Sequence, residues 1–266
     1  MKGIARGAAL LALSFGLGFP LFWVVLASLR PESELFGGSV VPGRLGLEHY
    51  FALFRERRFW MPLANSFALA TATTLITVVF GTSAAYALSR LRFRGRALVL
   101  AGLLLVSLFP PIALISPLFV VMRGLGLVGT LYGLVLPYLT FALPLIVWLM
   151  AGHFRELPPE LEEAALMDGA SRLRAFWSVV LPLALPGVAA ASILTFVFCW
   201  NEFMFAFAFS LEPDRQTVPV ALTLLRGRYQ VPWGQVLAAS VVGALPVVAL
   251  VLALSRRLER RLGVGR

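Results

Sequence analysis

Lysine is all but missing from this 266-residue chain: Lys2 is the only one. A phosphate-binding loop of the Walker type needs a lysine beside a glycine-rich turn. Lys2 has no such context, so the chain does not hydrolyse ATP by that device on its own. Cysteine is as scarce. Cys199 is alone in an apolar run and can close no disulfide within the chain. The two histidines, His49 and His153, fall in different loops, and no Cys/His cluster has metal-ligand spacing. No motif calls for a cofactor. Charge is sparse as well, at 14% of residues, where soluble domains carry about 25%.

Apolar residues fill the space that charge leaves. They make up 59% of the chain, and the mean hydropathy is +0.87. A soluble core of this length has too little interior for so much apolar surface, so the composition points to a polytopic all-α membrane protein. The net charge of +10 does not indicate nucleic acid. The arginines sit in clusters between apolar runs, where they act as topology signals.

Six apolar runs are each long enough for the roughly 20 helical residues that cross a bilayer. They lie near 7–29, 63–89, 97–122, 130–150, 187–209 and 235–254. The first follows Lys2 and Arg6, as a signal peptide would, but it is longer than a signal core and lacks a small-x-small cleavage site. It reads as an uncleaved first span. The domain reading is a first span at 1–29, an external loop at 30–62, a five-span core at 63–258 and a basic tail at 259–266. The core carries loop helices at 155–180.

With the N-terminus inside, the inner side carries the larger share of cations: Lys2 and Arg6, then Arg90, Arg92, Arg94 and Arg96, then Arg155, Arg172 and Arg174, then the tail. That bias places both termini in the cytoplasm. The outer loops near 30–62 and 210–234 are long and rich in turn residues, among them Gly38, Pro42 and Pro213. They are either contact surfaces or plain connectors. Pro110, Pro111, Pro117, Pro137, Pro144 and Pro246 interrupt the spans. Each removes a backbone donor and bends or breaks a helix.

One polar loop has more structure than a connector needs. Pro158 and Pro159 suit a helix start, and Glu160, Glu162 and Glu163 follow at its positive end. Leu161, Ala164, Ala165 and Asp168 share a face at helical spacing. Gly169 suits a left-handed stop, and Ser171 suits the cap of a second helix. Leu173, Phe176, Trp177 and Val180 then form an apolar stripe before Leu181-Pro182. The pattern fits a docking element with a low alanine face. It also fits an amphipathic loop lying on the membrane.

The spacing Glu163-Ala164-Ala165, Gly169, Val179, Leu181-Pro182 resembles the EAA loop of ABC-importer permeases, with Val179 where that family usually has Ile. Further pieces resemble the second permease subunit of carbohydrate importers of the maltose type. They are Leu29-Arg30-Pro31, Asn65-Ser66, Ala84-Ala85-Tyr86-Ala87, the run Arg90–Gly95, Leu125-Gly126-Leu127, Trp200-Asn201-Glu202-Phe203 and Thr217-Val218-Pro219-Val220. The family more often has Asp at Glu202, and the arginine-rich tail departs from its usual end.

The resemblance implies a type I importer fold in a prokaryotic plasma (inner) membrane. It implies a second, non-identical permease subunit, two ATPase subunits and an external substrate-binding protein as partners. It makes Glu162, Glu163, Ala164, Ala165, Asp168, Gly169, Leu181 and Pro182 the ATPase-coupling residues, and it implies a sugar or oligosaccharide as cargo.

Polar residues within spans are candidates for a pathway. Asn201 and Glu202 stand out, flanked by Trp200 and Phe203. Aromatic faces beside hydrogen-bonding groups suit sugar rings. The same residues also suit packing on a partner permease or capping a helix end. Thr71, Thr73, Thr74 and Thr77 either line the pore or bond back to their own helix.

Three other functions share parts of this pattern. The same architecture serves other solutes, such as a glycerol phosphate. An ion-coupled transporter needs a buried titratable relay, for which Glu202 is the one acidic candidate. An intramembrane serine protease finds only Gly81-Thr82-Ser83, with neither histidine inside a span.

Overall fold

The computed structural model describes residues 2–37, 42–210, 212–227 and 231–262. Gly38, Arg228 and the tail residues 263–266 lie outside the described residues. Helices make up the structure, with no strand among the described residues. In chain order they are α1 (Lys2–Ser28), α2 (Glu48–Arg55), α3 (Trp60–Arg90), α4 (Arg96–Leu108), α5 (Pro111–Gly124), α6 (Val135–Glu156), α7 (Glu160–Met167), α8 (Arg172–Ala175), α9 (Leu181–Trp200), α10 (Met204–Phe209), α11 (Val218–Leu224) and α12 (Trp233–Leu262). A wider π turn, Phe176–Val180, joins α8 to α9.

Four stretches are long and apolar enough to cross a bilayer: Trp60–Arg90, Tyr132–Glu156, Arg172–Trp200 and Trp233–Ala253. The third apolar run is not one straight helix. α4 and α5 meet at 103°. The cause is local: the residue before a proline is pushed out of the helical region. Phe109 precedes Pro110 and Pro110 precedes Pro111, and both are extended, with ψ of 134° and 126°. The pair is a broken span or a re-entrant element. α1 runs for 27 residues as a further long apolar helix.

The fifth run also differs from the sequence reading. The helix expected over 187–209 instead runs from Arg172 to Trp200, breaks at 201–203 and resumes as the short α10. Pro182 lies in the first turn of α9, where its missing donor is harmless, and the π turn sits directly before it. Leu181-Pro182 therefore continues a helix and does not interrupt one.

α3, α6 and α9 pack on one another as the centre of the bundle, while α1 and α2 pack on α12. Two apolar clusters form, one at each end. The first gathers Leu53, Phe59, Tyr138, Phe196, Trp200 and Phe205. The second gathers Tyr86, Ile146, Met150, Phe154, Phe176 and Val180.

The α3–α6 crossing is close because Gly81 has no side chain. A Cβ there would overlap Cγ2 of Ile146, which is fully buried and β-branched and so cannot swing away. Gly81→Leu is therefore expected to overpack the crossing by about 1–3 kcal/mol, and a thermal melt of the purified protein should show a lower Tm. An unchanged Tm would mean that the crossing is looser than described.

Polar ties join distant elements at the first cluster's end. Glu32 accepts hydrogen bonds from the backbone N–H groups of Trp233 (2.8 Å) and Gly234 (3.0 Å), which places a carboxylate at the positive end of α12. Asn65 Nδ2 donates to the carbonyls of Asp214 (2.9 Å) and Gln216 (3.0 Å). Ser66 Oγ accepts from Val218 N at 2.8 Å. The strap at 214–218 is thus fixed to the first turns of α3.

Candidate coupling site

α6 ends at Leu157, which is extended, and Pro158-Pro159 turn the chain. The Pro159 carbonyl accepts the first helical bonds of α7, from Glu162 N and Glu163 N. Three glutamates in this first turn suit the helix dipole. The far end is a Schellman stop: Gly169 is left-handed at φ 84°, Ala170 N donates to Ala165 O, and Gly169 N donates to Leu166 O, both at 3.0 Å. Ser171 Oγ then accepts from Arg174 N at 3.3 Å and caps α8.

The two faces of α7 do different things. Glu162 turns inward and is buried, 7% exposed. Tyr86 Oη donates to its Oε1 at 2.6 Å, and Arg90 Nε stands 3.9 Å from its Oε2. Arg90 also donates through Nη2 to the carbonyls of Phe154, at 2.7 Å, and Leu157. One arginine therefore closes the carbonyl end of α6 and holds the acid of α7. Beneath it the Tyr86 ring lies 4.6 Å from Phe176 and meets Phe154 nearly edge-on at 6.0 Å. α3, α6, α7 and the π turn are joined at this one point.

The other face is largely exposed. Glu163, Ala164 and Asp168 are exposed, and Ala165 is half-buried. Apolar groups stand in the open beside them: Met167 is 88% exposed, Leu173 68% and Trp177 54%. The stripe read from the sequence is therefore split. Phe176 and Val180 are buried, while Leu173 and Trp177 face out. Exposed apolar groups clustered on a loop mark a contact surface. Leu181 and Pro182 stand apart from α7, in the first turn of α9.

Sequence reasoning placed Glu162 among the docking residues and did not tie it to Tyr86, Arg90 or Phe154. The one available signal was the Ala85-Tyr86…Arg90 run, whose i, i+4 spacing puts tyrosine and arginine on one face. Met167 was missed because helical spacing alone did not separate it from the inward residues.

The four residues expected to line a pathway take different environments. Trp200 is buried, and its Nε1 donates to Gly243 O at 3.2 Å. Glu202 caps a helix: its carboxylate accepts from Phe205 N (2.9 Å) and Ala206 N (3.2 Å) at the start of α10. Asn201 is exposed, with Nδ2 donating to Val197 O at 2.8 Å, and Phe203 stacks on Phe207 at 5.2 Å.

Trp200 and Asn201 border a cleft of about 360 Å³ with Val218, Pro219, Ser240 and Gly243. Thr73 and Thr77 are fully buried, and Thr77 Oγ1 bonds back to Thr73 O at 2.7 Å. Thr71 and Thr74 line a separate cavity of about 240 Å³ beside Phe67 and Phe196. Among the described residues no His, Cys, Asp or Glu cluster could hold a metal.

An apolar helical bundle with several helices long enough to cross a bilayer and a clamped polar loop defines a polytopic membrane protein. The chain belongs to the binding-protein-dependent transport system inner membrane components, whose family model matches residues 77–264. The trehalose transport system permease protein SugB of Mycobacterium tuberculosis is 40% identical over 248 residues, covering 92% of this chain and 90% of that protein. The trehalose/maltose transport system permease protein MalG of Thermococcus litoralis is 36% identical over 250 residues, covering 93% and 90%. Among solved structures, a bacterial ABC transporter involved in import of the acidic polysaccharide alginate aligns with a TM-score of 0.80 at 24% identity, covering 96% of this chain and 95% of that one. It shares the fold.

Proposed function

We propose that the chain is a permease subunit of an ATP-driven importer of a sugar or oligosaccharide, forming half of the translocation pathway. It has six spans, counting α1 and the bent α4–α5 pair, and both termini are cytoplasmic. A second, non-identical permease completes the pathway, two ATPase subunits dock from the cytoplasm, and an external binding protein delivers the solute. The chain itself is not the enzyme. The cargo class rests on the trehalose and maltose systems named for its relatives.

The observation that carries this reading is the two-sided α7. Its inner face is fastened to α3 and α6 through Glu162, and its outer face exposes Glu163, Ala164 and Met167. A partner seated on that face would move the bundle as a rigid body between two states. Gly169 and the cap at Ser171 keep the lever short. An ion-coupled reading has less support, because both Glu202 carboxylate oxygens are engaged by backbone amides.

Crosslinking tests the reading. Cys199 is buried, so Ala164→Cys introduces the one accessible thiol. A short maleimide–diazirine reagent, attached through that thiol in the assembled transporter and then irradiated, should join this chain to an ATPase subunit by carbene insertion. If the added thiol reacts with a monofunctional maleimide yet no ATPase adduct forms, α7 is not the docking element.

A further inference from the structure

A large polar cleft opens beside α7, about 1100 Å³ in volume, between the Arg90–Arg96 turn and the loop helices. Arg90, Arg92, Arg96 and Arg172 line it, against Glu162 and Glu163. Arg90 is occupied by Glu162 and by the end of α6. Among the described residues Arg92, Arg96 and Arg172 form no ion pair. These three arginines share the lining with Glu163, which forms no ion pair among the described residues either. Each arginine can present a planar fork to an oxyanion, the geometry that suits phosphate.

The walls indicate where such an anion comes from. Phe93 lies in the lining and is 46% exposed. α4 starts at Arg96, and none of its residues is buried; Leu98 is 78% and Val99 47% exposed. Arg96, in the lining, is the first residue of α4, so the cleft borders the start of an exposed apolar helix of the kind that meets acyl chains. The start of α4 has Gly95 as its N-cap, so no side chain caps its first amides, and a helix start favours an anion.

We propose that this cleft binds the phosphate of an anionic phospholipid headgroup, held by Arg92, Arg96 and Arg172, with the acyl chains along α4. A soluble phosphate shares the headgroup chemistry but makes no use of the exposed α4 face. The proposal rests on the membrane reading; the cleft shares Glu163 with the docking face of α7, so the experiment reads retained lipid and retained ATPase subunits separately.

The test uses the complete transporter, purified in detergent with equal amounts of phosphatidylglycerol and phosphatidylcholine, and counts retained lipids by native mass spectrometry. The wild type should favour phosphatidylglycerol by on the order of tenfold or more. The triple variant Arg92→Gln, Arg96→Gln, Arg172→Gln should lose that preference. Arg94→Gln, outside the lining, should keep it. Should the triple variant not assemble, Arg172→Gln alone, at an exposed position, should cut the preference about fivefold.

An unchanged preference in the variants overturns the proposal. So does displacement of phosphatidylglycerol by millimolar inorganic phosphate, which would make the site one for a soluble anion. Loss of the ATPase subunits with lipid preference intact overturns it too, by assigning the arginines to that partner.

Discussion

Glu162→Ala is expected to destabilise the loop by about 3 kcal/mol and to uncouple the transporter. Truncation removes the acceptor of the Tyr86 hydroxyl, at 2.6 Å, and the counter-charge of Arg90. Losing one partner of a buried pair typically costs about 3–5 kcal/mol. The lower end applies because Arg90 keeps its two α6 carbonyls. With α7 no longer fastened to α3, ATP hydrolysis should continue while solute uptake falls.

Glu162→Gln supplies the contrast. It keeps the volume and an acceptor for Tyr86, so its effect on stability should be about 1 kcal/mol. Thermal melts and limited proteolysis of the loop would rank the variants. Should Glu162→Ala melt and nick like the wild type, the inward anchor has no mechanical role.

Gly169→Val is expected to abolish coupling by a different route. Gly169 is left-handed at φ 84°, and a Cβ built on it meets nothing within 4 Å. Space is not the constraint; backbone conformation is. An L-residue there is disfavoured by about 1–2 kcal/mol, and a β-branched one is a genuine outlier. Valine should therefore unwind the Schellman stop and release Ala170 from Ala165.

The order of uptake should be Gly, then Asn, then Ala, then Val, because Asn enters this region more readily than Ala despite its size. An order that instead follows side-chain volume would make Gly169 a contact surface and not a hinge stop.

Local signals were legible in the sequence. Pro159, the three glutamates, Gly169 and Ser171 each act within one turn of where they stand, and the structure places a helix start, a stop and a cap at those residues. The apolar runs gave an all-helical membrane chain for the same reason.

What depended on distant partners was hidden. Nothing near Glu162 distinguishes it from Glu163; only Tyr86 and Arg90, some seventy residues away, turn one inward. The end of the fifth span was misplaced because hydropathy does not register that Asn201–Phe203 breaks the helix or that Glu202 caps the next one. The proline pair at 110–111 foretold a break but not an angle of 103°.

α3 ties the two ends of the bundle together. Its 31 residues make a strut of roughly 46 Å. At one tip Tyr86 and Arg90 grip α7; at the other Asn65 and Ser66 grip the strap at 214–218. In the proposed topology these two tips lie on opposite sides of the membrane, and a twist applied to one would be carried to the other. On that proposal the strap at 214–218 would register the position of α7 through this one helix, with no relay of shifting side chains in between.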